Sequence, residues 1–169
     1  MTGVQTCALP ILTKIKICGI KTIDDALAAI DAGADYLGFN FYSKSPRYIE
    51  KNGCAEITSV LKKEYPHIKL AGVFVNSSVE EVNDILNTCS LDLAQLHGDE
   101  TAKMVASFNG KAFKAIRLST DSDMVTDIAD LRQGAAPVLL VDAAVKGVYG
   151  GSGVTADWDG AAEIGRAHV

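Results

Sequence analysis

The sequence predicts an α/β fold with an all-parallel sheet: a (β/α)8 TIM barrel of which about six β/α units are present. Short apolar segments of strand length alternate with amphipathic segments of helix length, which is the pattern of βαβ units. A polar side chain stands at the end of every strand segment: Cys18, Asn40, Asn76, His97, Arg117 and Asp142. Barrel enzymes keep their chemistry at those C-terminal strand ends. An open doubly wound sheet would need a switch point and ordinarily a Gly-rich turn after its first strand, and here that turn reads Cys18-Gly-Ile-Lys21. A full barrel of this class has eight units and about 250 residues. At 169 residues the chain stops two units short.

Each element has a local cause. Ile15 to Cys18 is the first strand. Thr22 to Ala32 is a helix with Thr22 as its cap, Asp24 and Asp25 in its first turn and Gly33 just past its end. Asp35 to Phe41 is the second strand, and Lys51 to Glu64 the second helix. Strand Lys69 to Val75 leads to helix Val79 to Thr88, and strand Asp92 to Leu96 leads to helix Glu100 to Phe108. Ala112 to Arg117 leads to a helix over Asp121 to Leu131, and Val138 to Val141 is strand six. Side chains alternate between the two faces of a strand, so Lys14, Lys16 and Cys18 share one face, and Ile15 and Ile17 share the other and are expected to pack against helices. Val138, Leu140 and Asp142 share a face of strand six, and Gln95 and His97 share the inner face of strand four. With these faces inward, Cys18 and Asp142 approach one substrate from different sides.

Composition narrows the function. A hydrophobic content of 48% supports one sizeable core and hence a single domain. The formal charge of -5 gives no broad basic field for nucleic acid or anionic lipid. No apolar run approaches the roughly 20 residues of a membrane-spanning helix. The four cysteines, at 7, 18, 54 and 89, form no Cys-x-x-Cys pair, which argues against zinc and fits free thiols in a reducing cytoplasm.

The two ends read differently from the middle. Residues 1–11 lack the basic start and apolar core of a signal peptide. Thr6 to Ile11 can be encoded by ACG TGT GCT CTT CCG ATC, and the reverse complement of that DNA, with GA before it and one base after it, encodes Glu163 to Val169. Such ends resemble a sequencing-adapter read-through. The expected organisation is a non-native extension over 1–11, a partial barrel domain over 12–162 and a non-native tail over 163–169.

Five motifs carry a resemblance to a known family: Lys16-Ile-Cys-Gly-Ile20; Gly33-Ala-Asp-Tyr-Leu-Gly-Phe-Asn-Phe-Tyr42 with Lys44-Ser-Pro-Arg-Tyr-Ile49; Gly72-Val-Phe-Val-Asn76; Leu93-Ala-Gln-Leu-His-Gly-Asp-Glu100; and Leu140-Val-Asp142 with Gly150-Gly-Ser-Gly153 and Asp157-Trp158. In this order and spacing, over residues 14–158, the chain resembles phosphoribosylanthranilate isomerase. The resemblance implies an Amadori rearrangement in tryptophan synthesis, converting N-(5-phosphoribosyl)anthranilate into 1-(2-carboxyphenylamino)-1-deoxyribulose 5-phosphate. That chemistry needs an acid to open the ribose ring and a base to take the C2 proton, and it requires no metal or redox cofactor. Cys18 matches the family's general base, Asp142 its general acid, and Arg47 the residue that binds the anthranilate carboxylate. A free thiol titrates near about 8.5, so a basic Cys18 gains from a nearby cation, and Lys16 on the same face can supply it. Burial in a closed site favours the protonated Asp142 that an acid must be. Gln95, His97 and the loop glycines Gly150, Gly151 and Gly153 are the further substrate-binding candidates.

Without the resemblance, Cys18 reads as a small buried core thiol sooner than as a base and Arg47 as a solvated loop charge, while His97 reads equally as a hydrogen-bonded core histidine. Cys54 and Cys89 read as packing, and Asp157-Trp158 as a structural anchor. Family members continue through strands seven and eight, whose loops bind the substrate phosphate, so no phosphate-binding residue carries over. The expectation is a poorly active chain whose first and sixth strands form open edges that invite self-association. Two rival readings remain: another phosphate-binding barrel enzyme such as indole-glycerol-phosphate synthase, expected to carry a lysine and glutamate pattern instead of Cys-Gly after strand one, and a non-catalytic, self-associating fragment.

Overall fold

Strands of three to seven residues separated by helical segments cannot close as hairpins, and each must cross over to a parallel partner. The computed structural model describes residues 14–118 and 139–143. It contains β1 (Lys16–Cys18), α1 (Ile23–Asp31), β2 (Tyr36–Asn40), α2 (Lys51–Glu64), β3 (Lys69–Phe74), α3 (Val79–Thr88), β4 (Leu93–Leu96), α4 (Ala102–Ala106), β5 (Ala112–Leu118) and β6 (Leu139–Ala143). The six strands form one sheet in the order β1 to β6, every neighbour parallel. An order that never reverses has no switch point. It curls into a partial (β/α)8 barrel, as the alternation predicts.

Local chemistry sets the helix starts. The Thr22 hydroxyl accepts from the Asp25 amide at 3.1 Å while the Asp25 carboxylate accepts from the Thr22 amide at 3.1 Å, a reciprocal cap of the first turn. The Ser78 and Thr101 hydroxyls cap α3 and α4 by accepting from the amides of Glu81 and Met104. Each such cap contributes about 1 kcal/mol. Between sheet and helices, Leu37, Phe39, Leu70, Phe74 and Leu96 pack with Leu61 and Val82 in one continuous core. Cys54 and Cys89 belong to that layer, and burial pushes both thiols up, so they remain protonated and inert.

Beyond single-residue shifts at the strand ends, the structure departs from the sequence pattern at helix α4, at β6 and on the outer face of β1. Helix α4 starts at Ala102 and not at Glu100, because the Glu100 carboxylate turns back into the protein. It accepts from the Asn76 amide (2.8 Å), the Gly98 amide (2.8 Å) and the Lys114 ammonium (2.9 Å). Strand β6 runs on to Ala143 through pairing with β5, which carries Asp142 inside the ladder opposite Arg117. Ile15 and Ile17 are 45% and 40% exposed instead of packed beneath helices, since β1 is paired on one side only among the described residues. Helix four also ends earlier than the pattern predicts, at Ala106, with Ser107 as its C-cap. The helix expected over 121–131, and the ends over 1–11 and 163–169, lie outside the described residues.

Lys114 and Glu100 form a buried polar junction. The Lys114 ammonium also donates to the carbonyls of Gly98 (2.6 Å) and Leu96 (3.3 Å), so the junction ties β5 to the loop after β4 and, through Asn76, to the loop after β3. Both groups are at most 9% exposed. Removing one partner leaves the other charge buried and unpaired. Lys114→Met is therefore expected to lower unfolding stability by about 3–5 kcal/mol. Lys51→Met, at the exposed ion pair with Asp84, is expected to cost far less, because water screens the pair. Urea denaturation of the two variants checks the contrast, and equal losses would contradict the junction's role.

Candidate active site

The inward faces of β1, β2, β3, β4 and β6 converge on a cavity of about 270 Å³ at the C-terminal ends of the strands. Lys16, Cys18, Asn40, Tyr42, Arg47, Gln95, His97 and Asp142 are its polar lining, with Val73, Val75 and Leu140 as apolar walls. The period of two therefore brings together what the sequence separates by up to 126 positions, from Lys16 to Asp142. Cys18, Asp142, Arg47, Gln95 and His97 all reach this one cavity. Gly150, Gly151 and Gly153 lie outside the described residues, and so does the side chain of Arg117.

Two glycines make the room. A Cβ on Gly38 would stand 2.8 Å from the Cys18 sulfur and 3.1 Å from Lys16 Cε, so glycine in β2 lets the neighbouring strand's thiol and lysine lie across it. Gly19 has a φ of +94°, a region costly for other residues, and a Cβ there would stand 2.5 Å from Arg47 Cδ. The amides of Gly19 and Ile20 both donate to the Gly38 carbonyl, at 2.8 and 3.0 Å, which pins the turn after Cys18 to β2. Arg47 is held from its own side by its backbone amide donating to the Ser45 hydroxyl at 3.2 Å, and that hydroxyl accepts from Asn40 at 3.2 Å.

A hydrogen-bonded chain crosses the lumen. The Lys16 ammonium donates to Gln95 Oε1. Gln95 Nε2 lies 2.9 Å from His97 Nδ1, and His97 Nε2 lies 3.0 Å from Asp142 Oδ2. Gln95 and His97 are buried, at 3% and 7% exposure, while the Asp142 side chain is partly open. Burial pushes the His97 imidazole below its ordinary 6.5, against the opposing pull of Asp142. Burial likewise holds the Lys16 ammonium below 10.5, with Cys18 opposing. Lys16 thus stands beside the thiol, in the place the sequence pattern anticipates.

Sequence reasoning passed over Tyr42 and the Glu100–Lys114 junction. Tyr42 had a usable signal, since it follows the strand-end residue Asn40 by two and its backbone amide donates to Asn40 Oδ1 at 2.9 Å. Glu100 and Lys114 had none, because a buried ion pair and two exposed charges look alike in a sequence.

A parallel barrel with a thiol, a carboxyl, a histidine and an arginine at the ends of its strands defines an enzyme of the barrel class acting on a small molecule. The family model for N-(5'-phosphoribosyl)anthranilate (PRA) isomerase matches residues 15–168, and the chain belongs to that family. It is 40% identical over 148 residues to N-(5'-phosphoribosyl)anthranilate isomerase of Geotalea daltonii, covering 88% of this chain and 68% of the relative. To the enzyme of the same name from Thiobacillus denitrificans it is 43% identical over 145 residues, covering 86% and 68%. Its fold is similar to the crystal structure of phosphoribosyl anthranilate isomerase from Thermotoga maritima, with a TM-score of 0.74 and 33% identity over 87% of this chain and 69% of that one.

His97 makes the site sensitive to acid. The unfolded chain binds the imidazole proton more tightly than the folded one, so the stability associated with a neutral His97 is fully present above pH 6.5 and is lost as pH falls through the lower folded value. His97→Gln is expected to flatten the stability profile between about pH 7 and 5, measured by urea midpoints. A profile as steep as that of the unsubstituted protein would contradict this.

Proposed function

We propose that this chain catalyses the isomerisation of N-(5-phosphoribosyl)anthranilate to 1-(2-carboxyphenylamino)-1-deoxyribulose 5-phosphate, a step of tryptophan synthesis, with Cys18 as base and Asp142 as acid. The observation that carries the reading is that Cys18, at the end of β1, and Asp142, in β6, line one cavity from different sides with Arg47 beside them. Asp142 gives its proton to the ribose ring oxygen, the C1–O bond breaks, and the aniline nitrogen lone pair forms the iminium. The Cys18 thiolate then takes the proton from C2, and the C–H electrons become the C1–C2 double bond of an enol amine. Proton return to C1 and loss of the O2 proton give the ketone. Atoms and charge balance without an electron acceptor.

Two further features support the reading. Lys16 is the cation that a thiolate base needs: burial lowers its value, and the Cys18 sulfur beside it opposes that lowering by favouring the charged ammonium. Arg47 offers a planar fork suited to a substrate carboxylate. A solved phosphoribosyl anthranilate isomerase, 32% identical to this chain with a TM-score of 0.67, is in complex with reduced 1-(o-carboxyphenylamino)-1-deoxyribulose 5-phosphate, which suits the phosphosugar we assign as partner. The described cysteines are free, in keeping with a reducing cytoplasm as the place of action, and no described helix is long and apolar enough to cross a membrane.

One observation favours self-association as a second reading: the exposed pair Ile15, just before β1, and Ile17, within it. Sedimentation velocity of the chain separates the two, since a monomer that binds the reduced product analogue excludes the non-catalytic reading.

Substitutions test the assignment in the assay for loss of the fluorescent anthranilate substrate. Cys18→Ala and Asp142→Asn are each expected to lower kcat by about 10²–10⁴-fold. Arg47→Ala is expected to raise KM by roughly 10- to 100-fold, the loss of a charge-assisted hydrogen bond. Turnover indifferent to Cys18→Ala would overturn the base assignment.

A further inference from the structure

We propose that Gln95 is a positioning residue: oriented by Lys16, its amide locks His97 as the neutral Nε2–H tautomer, and that N–H fixes which oxygen of Asp142 carries the catalytic proton. The proposal rests on Asp142 being the acid, and it concerns how that acid is held.

Each link in the chain has one permitted direction. An ammonium has only donors, so the atom of Gln95 facing Lys16 is the amide oxygen. The amide nitrogen is then the atom facing His97 Nδ1 at 2.9 Å, and an amide nitrogen only donates. His97 Nδ1 must therefore be the bare acceptor, and the imidazole carries its proton on Nε2. That N–H meets Asp142 Oδ2 at 3.0 Å. A histidine in water interchanges both tautomers and both ring flips; this one is decided by the charge of a lysine 81 positions earlier, on another strand. Beyond Gln95, the charged groups acting on the imidazole are Asp142 from β6, Lys114 from β5 and Lys16 from β1. Lys114 is already committed to Glu100 and two carbonyls. Burial together with the two lysines disfavours an imidazolium, and Asp142 alone opposes them.

The chemical consequence lies at Asp142. With Oδ2 facing an N–H donor, a proton on the carboxyl resides on Oδ1. When the Oδ1–H bond breaks and the proton passes to the sugar ring oxygen, the new carboxylate keeps the His97 hydrogen bond. A neutral donor stabilises that product state without first stripping the acid of its proton. An imidazolium in the same place would hold Asp142 ionised and withhold the proton from substrate.

The test is the state of His97, read by two-bond ¹H–¹⁵N correlation of the ligand-free chain labelled in histidine nitrogen, with exposed His67 as the internal comparison and His97→Gln as the assignment control. In the unsubstituted protein His97 is expected as a single neutral species, protonated at Nε2, at about pH 7. Gln95→Glu places a second acceptor at Nδ1, and His97 is then expected as an imidazolium at the same pH, with kcat lowered about tenfold or more and KM changed less. An Nδ1–H species, a tautomer mixture or an imidazolium in the unsubstituted protein would overturn the proposal, and that spectrum depends on no variant folding. A neutral His97 in a folded Gln95→Glu variant would overturn it too. Full turnover by Asp142→Asn would instead sink the acid assignment while leaving the histidine spectrum as expected, so the two failures are distinguishable.

Discussion

The hydrogen-bonded ladder of six parallel strands, each joined to the next in the chain, is the constraint on which everything else depends. A parallel ladder taken in order sends every strand's C-terminal end to the same rim, and its curl turns alternate side chains toward a common interior. Cys18, His97 and Asp142 meet for that reason alone; they share no helix, loop or local motif. The loops on that rim are then fastened to one another by polar groups with few alternatives. Glu100 and Lys114 secure the loops after β3 and β4, while Asn40, Ser45 and Arg47 secure the loop after β2.

Most of the fold was legible in the sequence because it is written in short-range rules. Helices α2 and α3 begin and end where periodicity places them, and Thr22 caps α1 as its side chain predicts. The inward set was legible too, since alternation along β1, β4 and β6 needs only a period of two. Long-range polar pairing lay beyond reach. Glu100 reads as a first-turn helix residue, an acidic side chain favoured by the dipole, and only the approach of Lys114 and two loop amides shows that it serves elsewhere. The exposure of Ile15 and Ile17 was equally hidden, because coverage of a strand's outer face depends on what packs there and not on the strand.

The cavity's electrostatics are asymmetric. Lys16 and Arg47 put positive charge on the side of Cys18, and Asp142 puts a carboxyl on the far side, with Gln95 and His97 between them. In a partly dry cavity such a gradient is worth more than in water. It gives the thiol and the carboxyl different surroundings.

Gly19 and Arg47 show how tightly the site is written. The methylene stem of the arginine occupies the space where any other residue at position 19 would place its Cβ, and the backbone there has the left-handed twist that glycine tolerates best. The Cys-Gly step after β1 and the Ser-Pro-Arg loop after β2 look like two independent signatures in the sequence. Sterically they meet: the left-handed backbone at 19 calls for glycine, and the space that its missing Cβ leaves is the space the arginine stem takes.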